Sequence, residues 1–136
     1  MHKLAIALLI IIPAMAGADR TFDELRKENP QVCRDITQAD GYPGFIDCVG
    51  RMNEDSERQL SARLIQLRRD LDTLSLKEYR TNFDRDQHAW EVYKRAHCQY
   101  TATGMTEPAS GIQSTVCNVL ENHKRLDTLK NEPAFP

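Results

Sequence analysis

The sequence lacks the short motifs that identify several classes of enzyme. It has no Gly-x-Ser-x-Gly nucleophile elbow and no glycine-rich loop that could hold a phosphate group. Acidic pairs such as Glu54 with Asp55 are common among its 20 Asp and Glu residues, so none of them is specific to acid–base catalysis. We therefore expect no catalytic residues and no cofactor, and a binding protein is favoured over an enzyme.

Patterns typical of β-strands, membrane-surface helices and clustered zinc ligands are missing too. No segment alternates apolar and polar residues long enough to predict a strand. No basic stretch has the clean apolar face of a helix that lies on a membrane. The sequence has no Cys-x-x-Cys pair of the kind that builds four-thiolate zinc sites.

Long apolar runs are scarce, and the longest lies at the amino terminus. Lys3 precedes a run from Leu4 to Ile12 that is too short to span a bilayer, and small-x-small sites then end at Ala16 and Ala18. This pattern predicts a cleavable signal peptide over residues 1–18, with an uncleaved anchor as the alternative. No cysteine directly follows either site, so we expect a periplasmic or secreted protein without a lipid anchor or a membrane span.

Residues 19–136 are enough for one domain with a single core. Without Lys3, this part of the chain has 17 Lys and Arg against 20 Asp and Glu, a net charge of −3. That balance argues against nucleic acid as a ligand and favours a cationic partner. The oligomeric state is left open by the sequence.

The four cysteines are Cys33, Cys48, Cys98 and Cys117. In an exported chain they are expected to form two disulfides. Three pairings are possible, and we favour Cys33 with Cys48 and Cys98 with Cys117, because one helix-to-helix turn separates each pair. Each bridge would contribute about 3 kcal/mol by restricting the unfolded chain. A four-thiolate metal site is the disfavoured alternative.

Helical periodicity runs through nearly the whole of residues 21–130. Thr21 with Glu24 forms a capping-box pattern before a short helix that Pro30 would stop. Apolar positions over 32–39 predict a second small helix, which ends in a turn at 41–44. A long amphipathic helix is predicted over 45–74, with an inner stripe formed by Leu60, Leu64, Leu67, Leu71 and Leu74.

Two further helices are predicted after residue 75. Ser75 with Glu78, and Ser110 with Gln113, form capping-box patterns at their starts. The leucine stripe is too short for a coiled coil, so we expect it to face a core. The sequence predicts an all-α fold, a small helical bundle of about three long helices plus a short amino-terminal helix, stapled at both ends by disulfides.

The aromatic and histidine positions offer few candidate ligand sites. Trp90 and Tyr93 could form a binding platform, but core packing is the favoured interpretation for aromatics at helical spacing. His88 and His97 fall on opposite sides of one helix and cannot share a metal ion there. His123 lies on an apolar stripe and is predicted to be a hydrogen-bonded core residue. We expect no metal site.

The segment Gln87-His88-Ala89-Trp90-Glu91-Val92-Tyr93-Lys94-Arg95-Ala96-His97-Cys98 resembles the LprI-like lysozyme inhibitor family, whose members share a Gln-x-x-Trp-x-x-aromatic-basic-x-x-x-Cys pattern. Cys48 before the leucine helix, and Cys117 before His123-Lys124-Arg125-Leu126, extend the resemblance over residues 33–130. It implies a small exported helical domain with internal disulfides that inhibits lysozyme. The motif positions Gln87, Trp90, Tyr93 and Arg125 are interpreted as mainly structural.

The resemblance directs attention to the segment between the last two cysteines. Family members often have a glycine-rich segment there, whereas this chain has only Gly104 and Gly111. Because a Cys98–Cys117 bridge would pre-organise this segment, it is the candidate partner contact, with a solvent-exposed connector as the alternative. The candidate contact residues are Thr101, Thr103, Met105, Thr106, Glu107 and Ser110.

The predicted partner is a protein, a lysozyme or another peptidoglycan hydrolase. Two other functions remain open at this point. One is an immunity-type protein that neutralises a toxin delivered by a competitor. The other is a helical envelope protein that binds a metal or a small ligand.

Overall fold

The computed structural model describes residues 19–133, which contain four α-helices and no strand. The predicted signal peptide lies outside the described residues. The short helix α1 spans Phe22–Glu28, and a 3₁₀ helix spans Gln38–Asp40. The three long helices are α2 over Gly41–Asp72, α3 over Lys77–Thr101 and α4 over Ala109–Leu129. The all-α prediction and the count of helices are confirmed.

Helix α1 begins at the capping box that the sequence predicts. The Thr21 hydroxyl accepts a hydrogen bond from the Glu24 amide at 3.2 Å, and the Glu24 carboxylate accepts one from the Thr21 amide at 2.7 Å. These two bonds satisfy amides that have no partner inside the helix. The helix ends at Asn29, whose side chain donates to the Leu25 carbonyl at 2.8 Å.

The predicted second small helix and the turn at 41–44 are both wrong. Residues 30–35 form turns, and the Thr37 amide donates to the Asp40 carboxylate at 2.6 Å, so local side-chain bonding replaces a regular helix. Gly41, with φ at +59°, lets the chain enter α2 at once. Pro43 then lies in the first turn of α2, where its missing amide hydrogen leaves no helical bond unmade.

The two capping boxes predicted at Ser75 and Ser110 do not form. Helix α3 is preceded by Leu76, which is extended because the chain is still reversing direction after α2. Helix α4 already begins at Ala109, and Ser110 lies inside it. Pro108 is at the cap position, and the carboxylate of Glu107, one residue before it, accepts a hydrogen bond from the Gly111 amide at 3.3 Å.

Helices α2 and α4 run parallel, and α3 runs antiparallel to both. Asn122 on α4 donates a hydrogen bond to Ser56 on α2. Seven residues further along each helix, Arg63 on α2 donates to the Leu129 carbonyl at 2.9 Å, so the two helices run in the same direction. On α3 the order is reversed, because Cys98 near its end is bonded to Cys117 near the start of α4. The starts of α2 and α4 therefore share one end of the bundle with the end of α3.

The apolar interior is divided between two clusters. We call the region around the first cluster the disulfide half; its buried members are Leu25, Cys33, Cys48, Met52 and Val119. We call the region around the second cluster the leucine half; its buried members are Leu60, Leu64, Leu67, Leu71 and Leu129. The prediction that the leucine stripe faces a core is confirmed for its four members in α2, whereas Leu74 lies beyond the end of the helix and packs against the same cluster half-buried.

Both disulfides form with the predicted pairing. The Cα atoms are 5.5 Å apart in Cys33–Cys48 and 5.4 Å apart in Cys98–Cys117. The expectation that they staple both ends of the bundle is wrong, because both lie in the disulfide half. The parallel arrangement of α2 and α4 brings Cys48 and Cys117, each near the start of its helix, to the same end. Within residues 19–133, no helix has an apolar stretch long enough to cross a bilayer.

Candidate functional site

Three of the four motif residues form one cluster between the two halves. Arg125 donates through Nε to the Gln87 side-chain oxygen at 2.9 Å and through a terminal nitrogen to Asp86 at 2.7 Å. Its guanidinium lies 5.6 Å from the centre of the Trp90 ring. Gln87 and Arg125 are both buried. These contacts join α3 to α4. They also give hydrogen-bond partners to the guanidinium of Arg125, whose burial would otherwise be unfavourable.

Lys94 continues this cluster into a polar layer that reaches α2. Its ammonium lies 4.9 Å from the centre of the Trp90 ring and donates to the Asn122 side-chain oxygen at 3.0 Å. The Asn122 amide in turn donates to the Ser56 hydroxyl at 3.0 Å. Burial lowers the pKa of Lys94, since charge is disfavoured away from water. The polar layer therefore ties together the three long helices.

Tyr93, the fourth motif residue, lies outside the cluster. Its side chain is 51% exposed, and its ring stacks on His97 with the ring centres 5.4 Å apart. The expectation of core packing is wrong for Tyr93. Helix α4 covers the line of Trp90, Lys94 and Cys98 on α3, and Tyr93 projects beside that line.

His123 is buried as the apolar stripe predicts, with 6% of its surface exposed. The predicted hydrogen bond is wrong for one ring nitrogen, because Nε2 has no hydrogen-bond partner among the described residues. Burial lowers the pKa of His123, and the nearby positive charge of Arg20 lowers it further. Arg20 itself pairs with Glu28 and Asp127 beside it.

The segment 102–108 connects α3 to α4 at the outer end of the disulfide half. Thr103, Met105, Thr106 and Glu107 are exposed, and Met105 retains 46% of its accessible surface. Thr101 and Ser110, the outer members of the predicted contact set, are half-buried residues of α3 and α4. The set is thus one exposed loop with a helical anchor on each side.

The backbone of this loop is held by local hydrogen bonds as well as by the disulfide. The Thr103 amide donates to the Tyr100 carbonyl at 3.0 Å, and the Met105 amide donates to the Ala102 carbonyl at 3.2 Å. Gly104 has φ at +80°, a conformation that favours glycine. The loop therefore has a defined shape before any partner arrives, which lowers the entropic cost of binding.

Exposed apolar residues at the same end were missed by the sequence reasoning. Tyr42 is 56% exposed and Ile46 is 38% exposed on the first turns of α2, and Tyr100 is 74% exposed near the end of α3. Helical periodicity could not have found Ile46, because it lies 18 residues, or five helical turns, before Leu64 and therefore falls on the face of the leucine stripe. Tyr42 could not be placed, because its segment was interpreted as a turn.

The described residues offer little for catalysis by a thiol or a metal. All four cysteines are in disulfides. In residues 19–133, no group of three or more His, Cys, Asp or Glu side chains is placed to hold a metal ion.

The family model for the lysozyme inhibitor LprI matches residues 33–129 of the chain. The chain belongs to the LprI lysozyme inhibitor family. No curated protein and no solved structure gives a match. The predicted resemblance is confirmed over almost the same range. The LprI match includes both disulfides, the motif cluster and the loop 102–108, whereas α1 precedes it.

Proposed function

We propose that this LprI family member binds a lysozyme-type peptidoglycan hydrolase in the periplasm and blocks its substrate cleft. The observation that carries the proposal is the family match over 33–129, which covers the complete three-helix bundle and both disulfides. The inhibitor acts in this proposal by occupying the cleft, without chemistry of its own.

The loop 102–108 is the proposed point of entry into the cleft. Its exposed residues project beyond the Cys98–Cys117 bridge, and α3 and α4 hold its ends. Met105 supplies an exposed apolar side chain, and Thr103 and Thr106 supply hydroxyl groups. A short ordered loop with this mixture fits a cleft whose own surface is built to bind a sugar chain by hydrogen bonds and apolar contact.

The charge of the inhibitor supports a cationic target. Residues 19–136 carry 17 Lys and Arg against 20 Asp and Glu, and lysozymes of animal hosts are typically cationic. Opposite net charges accelerate the encounter of two proteins, and added salt weakens this attraction. Inhibition is therefore expected to decline as the ionic strength of the assay rises.

Clearing of a bacterial cell-wall suspension by c-type, g-type and i-type lysozymes tests the proposal. The oxidised protein in excess is expected to slow clearing by at least one type. Unchanged clearing by all three would refute lysozyme inhibition and direct the search to toxins and other envelope proteins.

A pair of matched variants tests the role of the loop. Met105→Ala is expected to weaken inhibition by about tenfold, as for an apolar interface residue near a binding centre. Leu76→Ala is the control, because Leu76 is 57% exposed in the connection at the opposite end of the bundle. Equal inhibition by the two variants would exclude Met105 from the contact surface.

A further inference from the structure

An apolar cleft lies between the first turns of α2 and the start of α4. Ile46 and Val49 form the wall on α2, and Pro108 and Ile112 form the wall on the other side. We call this surface the Ile46 cleft. Val49 is buried at its base, whereas Ile46 remains 38% exposed at its rim. Neighbouring apolar residues exposed together at one end of a bundle indicate a contact surface, whereas single exposed residues such as Ile65 are common on soluble proteins.

Tyr42 extends the apolar surface by one helical turn from Ile46. Its ring stacks on Phe45 with the ring centres 6.4 Å apart, and Phe45 is in edge contact with Phe22 of α1. Tyr42 is nevertheless 56% exposed. Phe45 therefore supports one face of the Tyr42 ring, and the other face is open to solvent. Because the ring is already ordered, a partner that covers it would incur little loss of side-chain entropy.

The Ile46 cleft is continuous with the loop 102–108. Pro108 is both the last residue of the loop and part of the cleft wall. The loop and the first turns of α2 lie at one end of the bundle, because α2 and α4 both begin there. A protein that covers the loop from this side must therefore approach the cleft as well.

The distribution of charge distinguishes this end from the opposite one. Residues 33–51 and 98–117, which form the disulfide end, contain four Asp and Glu against two Arg, a net charge of −2. Residues 63–85 and 126–132, at the opposite end, contain seven Lys and Arg against six Asp and Glu, a net charge of +1. A cationic partner is therefore attracted more strongly to the disulfide end than to the opposite one.

We propose that the Ile46 cleft is a second contact for the cationic hydrolase that the loop 102–108 engages. This inference rests on the proposed function. The loop enters the substrate cleft of the hydrolase, and apolar side chains from the rim of that cleft cover Ile46 and Tyr42. The inhibitor then binds through two adjoining surfaces of one rigid end.

The experiment compares Ile46→Asp with Ile65→Asp in the cell-wall clearing assay. Ile65 is on the same helix and is 49% exposed, and it lies about 28 Å further along α2. Asp adds negative charge, so charge repulsion from a cationic partner cannot explain a weaker complex. We expect Ile46→Asp to raise the concentration for half-inhibition by at least about tenfold and Ile65→Asp to leave it unchanged.

Ile46→Ala provides the same test if Ile46→Asp does not fold. It is expected to raise the concentration for half-inhibition by about threefold, with helical circular dichroism unchanged. The outcomes separate the two proposals. No inhibition by the unaltered protein refutes the proposed function, and the second contact falls with it. If the unaltered protein inhibits and both Asp variants inhibit equally well, the second contact alone is refuted.

Sedimentation of the same variants tests a different occupant of the cleft. The unaltered inhibitor is expected to sediment in the same oligomeric state as Ile46→Asp. A dimer that Ile46→Asp converts to a monomer, with inhibition unchanged, would show that a second copy of the chain covers the cleft and would overturn the proposal.

Discussion

The disulfide half and the leucine half are held together by different means. In the leucine half, a regular stripe of α2 packs on α4, and the buried members of the cluster are all leucines. In the disulfide half, two covalent bridges accompany a mixed cluster that also contains Met52 and Val119. The difference follows the backbone: the irregular segment 29–40 and the loop 102–108 both belong to the disulfide half.

Irregular segments bury little apolar surface for each residue that they order. The disulfides compensate for this small apolar burial. Each bridge lowers the conformational entropy of the unfolded chain and so stabilises the fold without a larger core. The surface proposed to meet a partner therefore lies in the half that is held covalently. The leucine half thus supplies the frame of the bundle, and the disulfide half supplies a fixed, exposed end.

The largest effect is expected from removing both disulfides. Each closes a loop of 15 or 19 residues, so their joint loss should lower the free energy of unfolding by about 6 kcal/mol. Urea unfolding with and without reductant measures this loss. Amide hydrogen exchange should accelerate first in the disulfide half, and equal acceleration in both halves would show that they do not differ in this way.

A cavity in the leucine half should have the next largest effect on stability. Leu67 is fully buried, so Leu67→Ala is expected to lower the free energy of unfolding by about 3 kcal/mol. Ile65→Ala, two residues away and 49% exposed, should change it by less than about 0.5 kcal/mol. Urea unfolding of both variants measures this difference. A small effect of Leu67→Ala would show that the leucine stripe contributes little to the free energy of unfolding.

The polar layer between the halves is tested through Arg125. Arg125→Met leaves the Gln87 oxygen without its donor and should lower the free energy of unfolding by about 2 kcal/mol. Trp90, the one tryptophan of the chain, loses its guanidinium neighbour, so its fluorescence should change too. Arg85→Met, at an exposed arginine of α3, is the control. Identical fluorescence in the two variants would contradict the described contact.

The capping box at the start of α1 should have a smaller effect. Thr21→Ala removes the side-chain bond to the Glu24 amide, and we expect a loss of about 1 kcal/mol in urea unfolding. Thr81→Ala, at an exposed position of α3, should have no measurable cost. A neutral Thr21→Ala would mean that α1 contributes to stability through Leu25 alone.

The smallest predicted effect is a loss of stability in mild acid. The pKa of His123 is lower in the folded protein than in the unfolded chain, so the unfolded chain binds more protons as the pH falls below about 6.5. The folded protein is therefore destabilised as the pH falls through this range, until His123 is protonated in both states. Glu28, Asp55 and Asp127 oppose this effect, whereas Arg20 reinforces it.

Thermal unfolding between pH 5 and 7.5 measures this effect. The unaltered protein should lose more stability on acidification than His123→Gln. His88→Gln, which removes an exposed histidine, should follow the unaltered protein. Coincident pH profiles for all three would show that burial of His123 has no influence on stability.

Local sequence signals predicted regular structure well and chain reversals poorly. The leucine stripe and the capping box at Thr21 needed only their immediate neighbours, so both are found where the sequence placed them. The capping boxes at Ser75 and Ser110 failed because the reversal between helices decides which residue begins each helix. Gly41 and Pro43 read as a turn, although they also suit the first turn of a helix.

The sequence by itself determined the helical class, the core face of α2, the disulfide pairing and the family, since periodicity and cysteine spacing are local properties of the chain. The tertiary structure alone decided that both bridges share one half, that Tyr93 is exposed, and that Ile46 and Pro108 line one cleft. The shared half and the cleft depend on the parallel packing of α2 and α4, and the exposure of Tyr93 depends on which face of α3 is covered by α4. Helix direction and rotation about the axis are set by the joint packing of all three helices, which no single segment encodes.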